Sequence, residues 1–78
     1  MSKIKVAIAG CLGRMGQELT KKILLNNKLL FVGGFEHRAH SNLNKKLNKI
    51  TDINSNFVVT SNADQVIKKA DVVIDFTT

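Results

Sequence analysis

The sequence predicts an α/β fold: a partial doubly wound parallel sheet, laid out as β-α-β, a loop, and a second β-α-β. Three observations predict it. An apolar run, Val6-Ala7-Ile8-Ala9, breaks directly into glycines at Gly10, Gly13 and Gly16 while a helical pattern is already beginning. Apolar segments of strand length then alternate with amphipathic segments, which implies parallel strands joined by right-handed crossovers. An acidic residue, Glu36, closes the second apolar run 20 positions after Gly16.

Residues 1–3 read as a polar lead-in. Residues 4–9 form the first strand, and the lack of polar alternation after Lys5 places cover on both of its faces. The glycines that follow suit a Rossmann-like turn, in which bare backbone N–H groups approach a pyrophosphate at a helix N-terminus. The spacing is a variant: in G-x-G-x-x-G the first glycine would stand at position 11, which is Cys11. Residues 14–26 predict a helix with an apolar stripe of Met15, Leu19 and Ile23, with Gly16 on the side packed against the strand. Arg14 falls in its first turn, where the helix dipole disfavours a cation. The choice is explained by an anion bound there; the alternative is a side chain in solvent.

Residues 29–35 read as the second strand, in which Gly33 and Gly34 point to close contact with a neighbouring backbone. Glu36 then stands where a dinucleotide-binding unit places an acid on the adenosine ribose hydroxyls. His37 and Arg38, directly after it, are candidates for a 2′-phosphate, which NADPH carries and NADH lacks; exposed loop side chains are the alternative. No cysteine or carboxylate cluster with ligand spacing surrounds His37 or His40, so no metal is assigned.

Leu43, Leu47 and Ile50 recur at i, i+4, i+7 and allow a short amphipathic helix capped by Ser41, against the turn preference of the asparagines. Residues 51–56 read as a loop and residues 57–60 as a short third strand. Ser61 and Asp64 have capping-box spacing, opening a helix over residues 62–70 that turns Val66, Ile67 and Ala70 inward. Residues 72–76 complete the pattern as a buried fourth strand, whose outer edge would be left unpaired. The first, second and fourth strands end at Gly10, Glu36 and Phe76, so the marked residues converge on one edge of the sheet.

Composition narrows the functional class. Seventy-eight residues support one small domain, and 44% apolar content supplies an ordinary core. No apolar run reaches the roughly 18 residues of a membrane span, and no signal-peptide pattern opens the chain. A single cysteine excludes an internal disulfide and agrees with a reducing compartment, so a cytoplasmic location is expected. The net charge of +6 comes from lysines scattered over several segments, without tyrosine or tryptophan to stack on bases. A solvated surface explains it better than a nucleic-acid site.

Val6-Ala7-Ile8-Ala9-Gly10, Gly13-Arg14-Met15-Gly16, Phe35-Glu36-His37 and Val73-Ile74-Asp75-Phe76-Thr77 together resemble the amino-terminal part of the 4-hydroxy-tetrahydrodipicolinate reductases (dihydrodipicolinate reductases). The resemblance implies a reductase of lysine and diaminopimelate biosynthesis that uses NADH or NADPH. It implies that Gly10, Cys11, Leu12, Gly13, Arg14 and Met15 hold the pyrophosphate and Glu36 the adenosine ribose. In the family the residue after that acid often helps with a 2′-phosphate, here His37 with Arg38 beyond it, while Phe76 and Thr77 would lie near the nicotinamide. Residues 1–78 would be the amino-terminal part of the dinucleotide-binding domain. The family's substrate and tetramerisation domain, with its substrate-side histidine and lysine, would follow Thr78, so no catalytic residue is expected here. A second reading is a non-catalytic NAD(H)-binding or regulatory module using the same glycines and Glu36.

Overall fold

The computed structural model describes residues 3–76. Its elements are β1 (Ile4–Ala9), α1 (Arg14–Leu25), β2 (Leu29–Phe35), α2 (Leu47–Ile50), α3 (Ala63–Ile67) and β3 (Val72–Asp75). The strands form one sheet in the order β2-β1-β3, and both pairings are parallel. The chain thus starts at the centre, moves out to one side and crosses back to the other, a partial Rossmann-like arrangement.

β1 is the hub. Val6, Ala7, Ile8 and Ala9 are all buried, as a strand with neighbours on both edges and cover on both faces requires. Val6 and Ile8 join Cys11, Ile23, Leu47, Ile53 and Val59 in one buried cluster. The two glycines of β2 show which elements cover which face. A Cβ added at Gly33 would meet the Phe57 ring at 2.6 Å and Val66 at 3.2 Å; one at Gly34 would meet the Cys11 Cβ at 2.5 Å. Successive strand residues point to opposite faces. Phe57 and α3 therefore cover one face, and Cys11, in the turn into α1, covers the other. The close approach foreseen at these glycines is thus mainly to side chains, with the Ile8 carbonyl oxygen also 3.3 Å from the Gly34 position.

α1 forms where expected but buries a different face. Gly16, Thr20 and Ile23 are inward, Leu19 is half-buried, and Met15 is 60% exposed. Gly16 sets that rotation: its position lies 2.3 Å, measured from an added Cβ, from the Gly10 carbonyl oxygen, so the helix rests on its smallest residues. The buried Thr20 hydroxyl is satisfied by donating to the Gly16 carbonyl at 2.7 Å.

Four further expectations are corrected. Residues 57–60 are not a strand of the sheet; they make isolated bridges, Phe35 with Thr60 and Lys46 with Val58. Most of their backbone bonds go to residues 44–47, including Asn44 N–H to the Val59 carbonyl at 2.7 Å and Leu47 N–H to that of Phe57 at 2.9 Å. The helix allowed over residues 41–50 shrinks to the single turn α2, because Asn44 adopts φ 66° and residues 41–44 form a non-helical turn; Lys46, not Ser41, is the cap residue. Leu47 is nevertheless fully buried, with Leu43 and Ile50 packed against the cluster.

α3 is capped by Asn62, whose side chain accepts from the Gln65 N–H at 3.2 Å, not by Ser61. It ends at Ile67, with Val66 buried and Ile67 exposed. β3 stops at Asp75 and is not buried: Val72 and Val73 are 45% and 38% exposed, because the strand pairs with β1 on one side and forms a sheet edge. Its start is clamped by Asp71, whose carboxylate accepts from the Lys5 N–H at 2.9 Å while its own N–H donates to the Lys5 carbonyl at 2.8 Å. Among the described residues no helix is long and apolar enough to cross a membrane.

Candidate functional site

The parallel strands all end on one side, and the chain leaves each of them at a residue marked in the sequence. Gly10 follows β1 in a left-handed conformation, φ 77°, which strains any residue with a side chain. Its N–H donates to the Phe35 carbonyl at 2.9 Å, and its own carbonyl accepts from the Gly13 N–H at 3.2 Å. Gly13 is the cap residue of α1 and offers no side-chain acceptor, so among the described residues the N–H groups of the first helical turn have no side-chain cap. Gln17 reaches back from that turn and donates through Nε2 to the Leu12 carbonyl at 2.8 Å.

Glu36, half-buried just beyond β2, faces this turn. Its Oε2 accepts from the Leu12 N–H at 2.6 Å, and its own N–H donates to the Thr60 carbonyl at 3.0 Å. Phe76 follows β3, and its N–H donates to the Ala9 carbonyl at 2.9 Å. Between them lies a cleft of about 390 Å³ lined by Gly10, Leu12, Gly13, Glu36, His37, His40 and Phe76. A second cleft of about 430 Å³ lies on the other side of the acid, lined by Phe35, Glu36, His37, Arg38, Ser61 and Ala63. Glu36 and His37 belong to both.

The remaining candidates divide. Arg14 and Met15 are exposed in the first turn of α1 and line neither cleft. Cys11 is fully buried beneath the turn, with its thiol against the Gly34 position, so only its backbone can meet a ligand. Burial, and secondarily the negative charge of Glu36, pushes its thiol pKa up to about 12, which keeps it protonated and unreactive. Thr77 lies outside the described residues. His40 is the addition. It carries no spacing signal in the sequence, and it reaches the cleft because the loop doubles back, with the His40 N–H donating to the His37 carbonyl at 2.9 Å.

A glycine turn opening a helix, opposed by an acid at the end of the neighbouring parallel strand, belongs to the Rossmann-like dinucleotide-binding units. The comparisons with known proteins narrow that class. The model of the family described as dihydrodipicolinate reductase, N-terminus, matches residues 4–78, and the chain belongs to that family. It is 36% identical over 75 residues to the 4-hydroxy-tetrahydrodipicolinate reductase of Syntrophobacter fumaroxidans, covering 95% of this chain and 28% of that protein. To the same-named protein of Pelagibacter ubique it is 40% identical over 77 residues, covering 99% of this chain and 26% of that protein. The chain thus spans less than a third of the length of these relatives. The resemblance drawn from the glycine segment and the Asp75-Phe76-Thr77 ending is borne out at the level of the family.

Proposed function

We propose that this chain is the NAD(P)H-binding portion of a reductase that converts 4-hydroxy-tetrahydrodipicolinate to tetrahydrodipicolinate in lysine and diaminopimelate biosynthesis. The observation that carries the reading is the bond from the Leu12 N–H to Glu36, which holds the glycine turn and the strand-end acid against one cleft. The fit to a dinucleotide is supported at Gly13: a Cβ there would make only ordinary contact, 3.5 Å, with the Gly10 carbonyl oxygen. The fold itself leaves room for a side chain at that position, and its absence leaves bare backbone for a pyrophosphate to approach.

In this reading the backbone of residues 10–15 binds the pyrophosphate at the start of α1, where the helix dipole favours negative charge. Glu36 accepts from the adenosine ribose hydroxyls with the carboxylate capacity that its bond to Leu12 leaves over. His37 and Arg38 stand beside it for a 2′-phosphate, and by the family resemblance Phe76 and Thr77 are assigned to the nicotinamide end. When bound, the nicotinamide supplies the hydride; this chain orients it and provides no substrate-side acid or base. Substrate binding, tetramer assembly and a cytoplasmic location follow from the same proposal, the first two through the part of the relatives that this chain does not cover.

Titrating the full chain with NADH and NADPH tests it. Saturable binding that Glu36→Ala weakens by roughly ten- to hundredfold is expected, the loss of a charge-assisted bond. Failure of both cofactors to bind at millimolar concentration overturns it.

A further inference from the structure

His40 is half-buried, lines the cleft shared by Gly10, Gly13 and Glu36, and has no part in the assignment above. Its ring is oriented by the loop: Nδ1 accepts a hydrogen bond from the Asn42 N–H at 3.0 Å. A nitrogen that accepts carries no proton, so the proton of the ring sits on Nε2. The ring's acceptor is therefore spent on the turn, and what it has left is a single N–H donor. Arg38, the nearest full cation in sequence, lines the other cleft instead. The cleft beside the glycine turn thus holds one carboxylate acceptor, backbone N–H groups, and imidazole donors from the loop after β2.

Resting on the dinucleotide reading, we infer that His40 is a further cofactor-binding residue whose Nε2–H donates to a phosphate oxygen of the dinucleotide. The anionic acceptors that such a ligand brings are its phosphate oxygens, while its ribose hydroxyls are met by Glu36. Two phosphate sources fit this chemistry: the pyrophosphate, common to both cofactors, and the 2′-phosphate of NADPH alone.

The two ring nitrogens separate a binding role from a turn-holding one. His40→Asn keeps an acceptor near the Nδ1 position for the Asn42 N–H and removes everything at Nε2. His40→Gln places an amide N–H near Nε2 and gives up the acceptor. Dissociation constants of the full chain for NADH and NADPH are measured for both variants beside wild type and Glu36→Ala, with melting temperatures. The expected result is a roughly tenfold weakening in His40→Asn at unchanged melting temperature, with His40→Gln binding closer to wild type even where its melting temperature drops. A loss confined to NADPH identifies the 2′-phosphate as the acceptor; equal losses for both cofactors identify the pyrophosphate. His40→Asn binding both cofactors like wild type, or His40→Gln being impaired as much as or more than His40→Asn, overturns the inference while Glu36-dependent binding leaves the dinucleotide reading standing. If wild type binds neither cofactor, both fall together.

Discussion

The backbone N–H of Leu12 donates to the carboxylate of Glu36 at 2.6 Å, joining two residues 24 positions apart. The bond makes the acid a strut for the glycine turn as well as a ligand-facing group. Charge-assisted bonds of this kind are short and about twice as strong as neutral ones.

Removing that acceptor leaves the Leu12 N–H half-buried without it. Glu36→Ala is expected to lower unfolding free energy by about 1–2 kcal/mol in urea denaturation. Glu36→Gln, which keeps a carbonyl oxygen in place, is expected to lose less than half of that. Equal losses in the two variants would show that the bond contributes nothing specific.

The three glycines of the turn should respond differently. Gly16→Ala drives a Cβ to 2.3 Å from the Gly10 carbonyl oxygen and about 3 Å from Cys11 backbone, where nothing flexible can yield. A cost of about 1–3 kcal/mol or outright failure to fold is expected. Gly10→Ala puts a side chain at φ 77°, costing about 1–2 kcal/mol. Gly13→Ala, with ordinary contact and φ −70°, should stay within about 0.5 kcal/mol of wild type yet weaken dinucleotide binding. Urea denaturation and cofactor titration on the same three variants check this ordering.

Cys11 predicts an alkaline limb to stability. Its folded pKa of about 12 lies above the ordinary value of 9.0, so the folded chain keeps a proton that the unfolded chain releases. The contribution is complete below pH 9 and declines as pH rises toward 12, by up to about 1.4 kcal/mol per pH unit. Cys11→Ala should flatten the fall in unfolding free energy across that window. At pH 8, alkylation of the thiol should proceed only as fast as the turn opens.

Arg38 lines the cleft on the far side of Glu36, where an added phosphate on the adenosine ribose would meet it. Arg38→Ala is expected to weaken NADPH roughly tenfold and to leave NADH nearly unchanged. Parallel titrations measure the ratio, and equal effects on the two cofactors would remove Arg38 from any selective role.

The reading of β1, α1 and β2 from sequence is accurate almost to the residue, because two apolar runs of strand length flank one amphipathic run set off by Gly13 and Asn26. Convergence of Gly10, Glu36 and Phe76 follows from topology alone, since parallel strands end on one side. What escapes is set by contacts distant in sequence. Residues 57–60 have the composition of a strand, yet residues 44–47 take most of their backbone bonds. Met15 fits the apolar stripe of α1, but the approach of Gly16 to Gly10 turns it outward. Val72 and Val73 read as buried because apolarity signals a strand without saying how far its faces are covered, and at this edge they are 45% and 38% exposed. His40 falls in the loop after Glu36 but receives no role from the sequence: only the doubled-back loop carries it into the cleft.

The thiol of Cys11 occupies the space above β2 that a side chain at position 34 would otherwise fill. The commoner fingerprint has its glycine at position 11; here the vacancy has moved across to the neighbouring strand, and the two positions share one volume. They should therefore vary as a pair over evolutionary time. A relative with glycine at 11 loses the Cys11 side chain that an alanine at 34 would strike and has only the Ile8 carbonyl oxygen, 3.3 Å away, to accommodate, whereas one that enlarges either residue alone must break the seat of the turn.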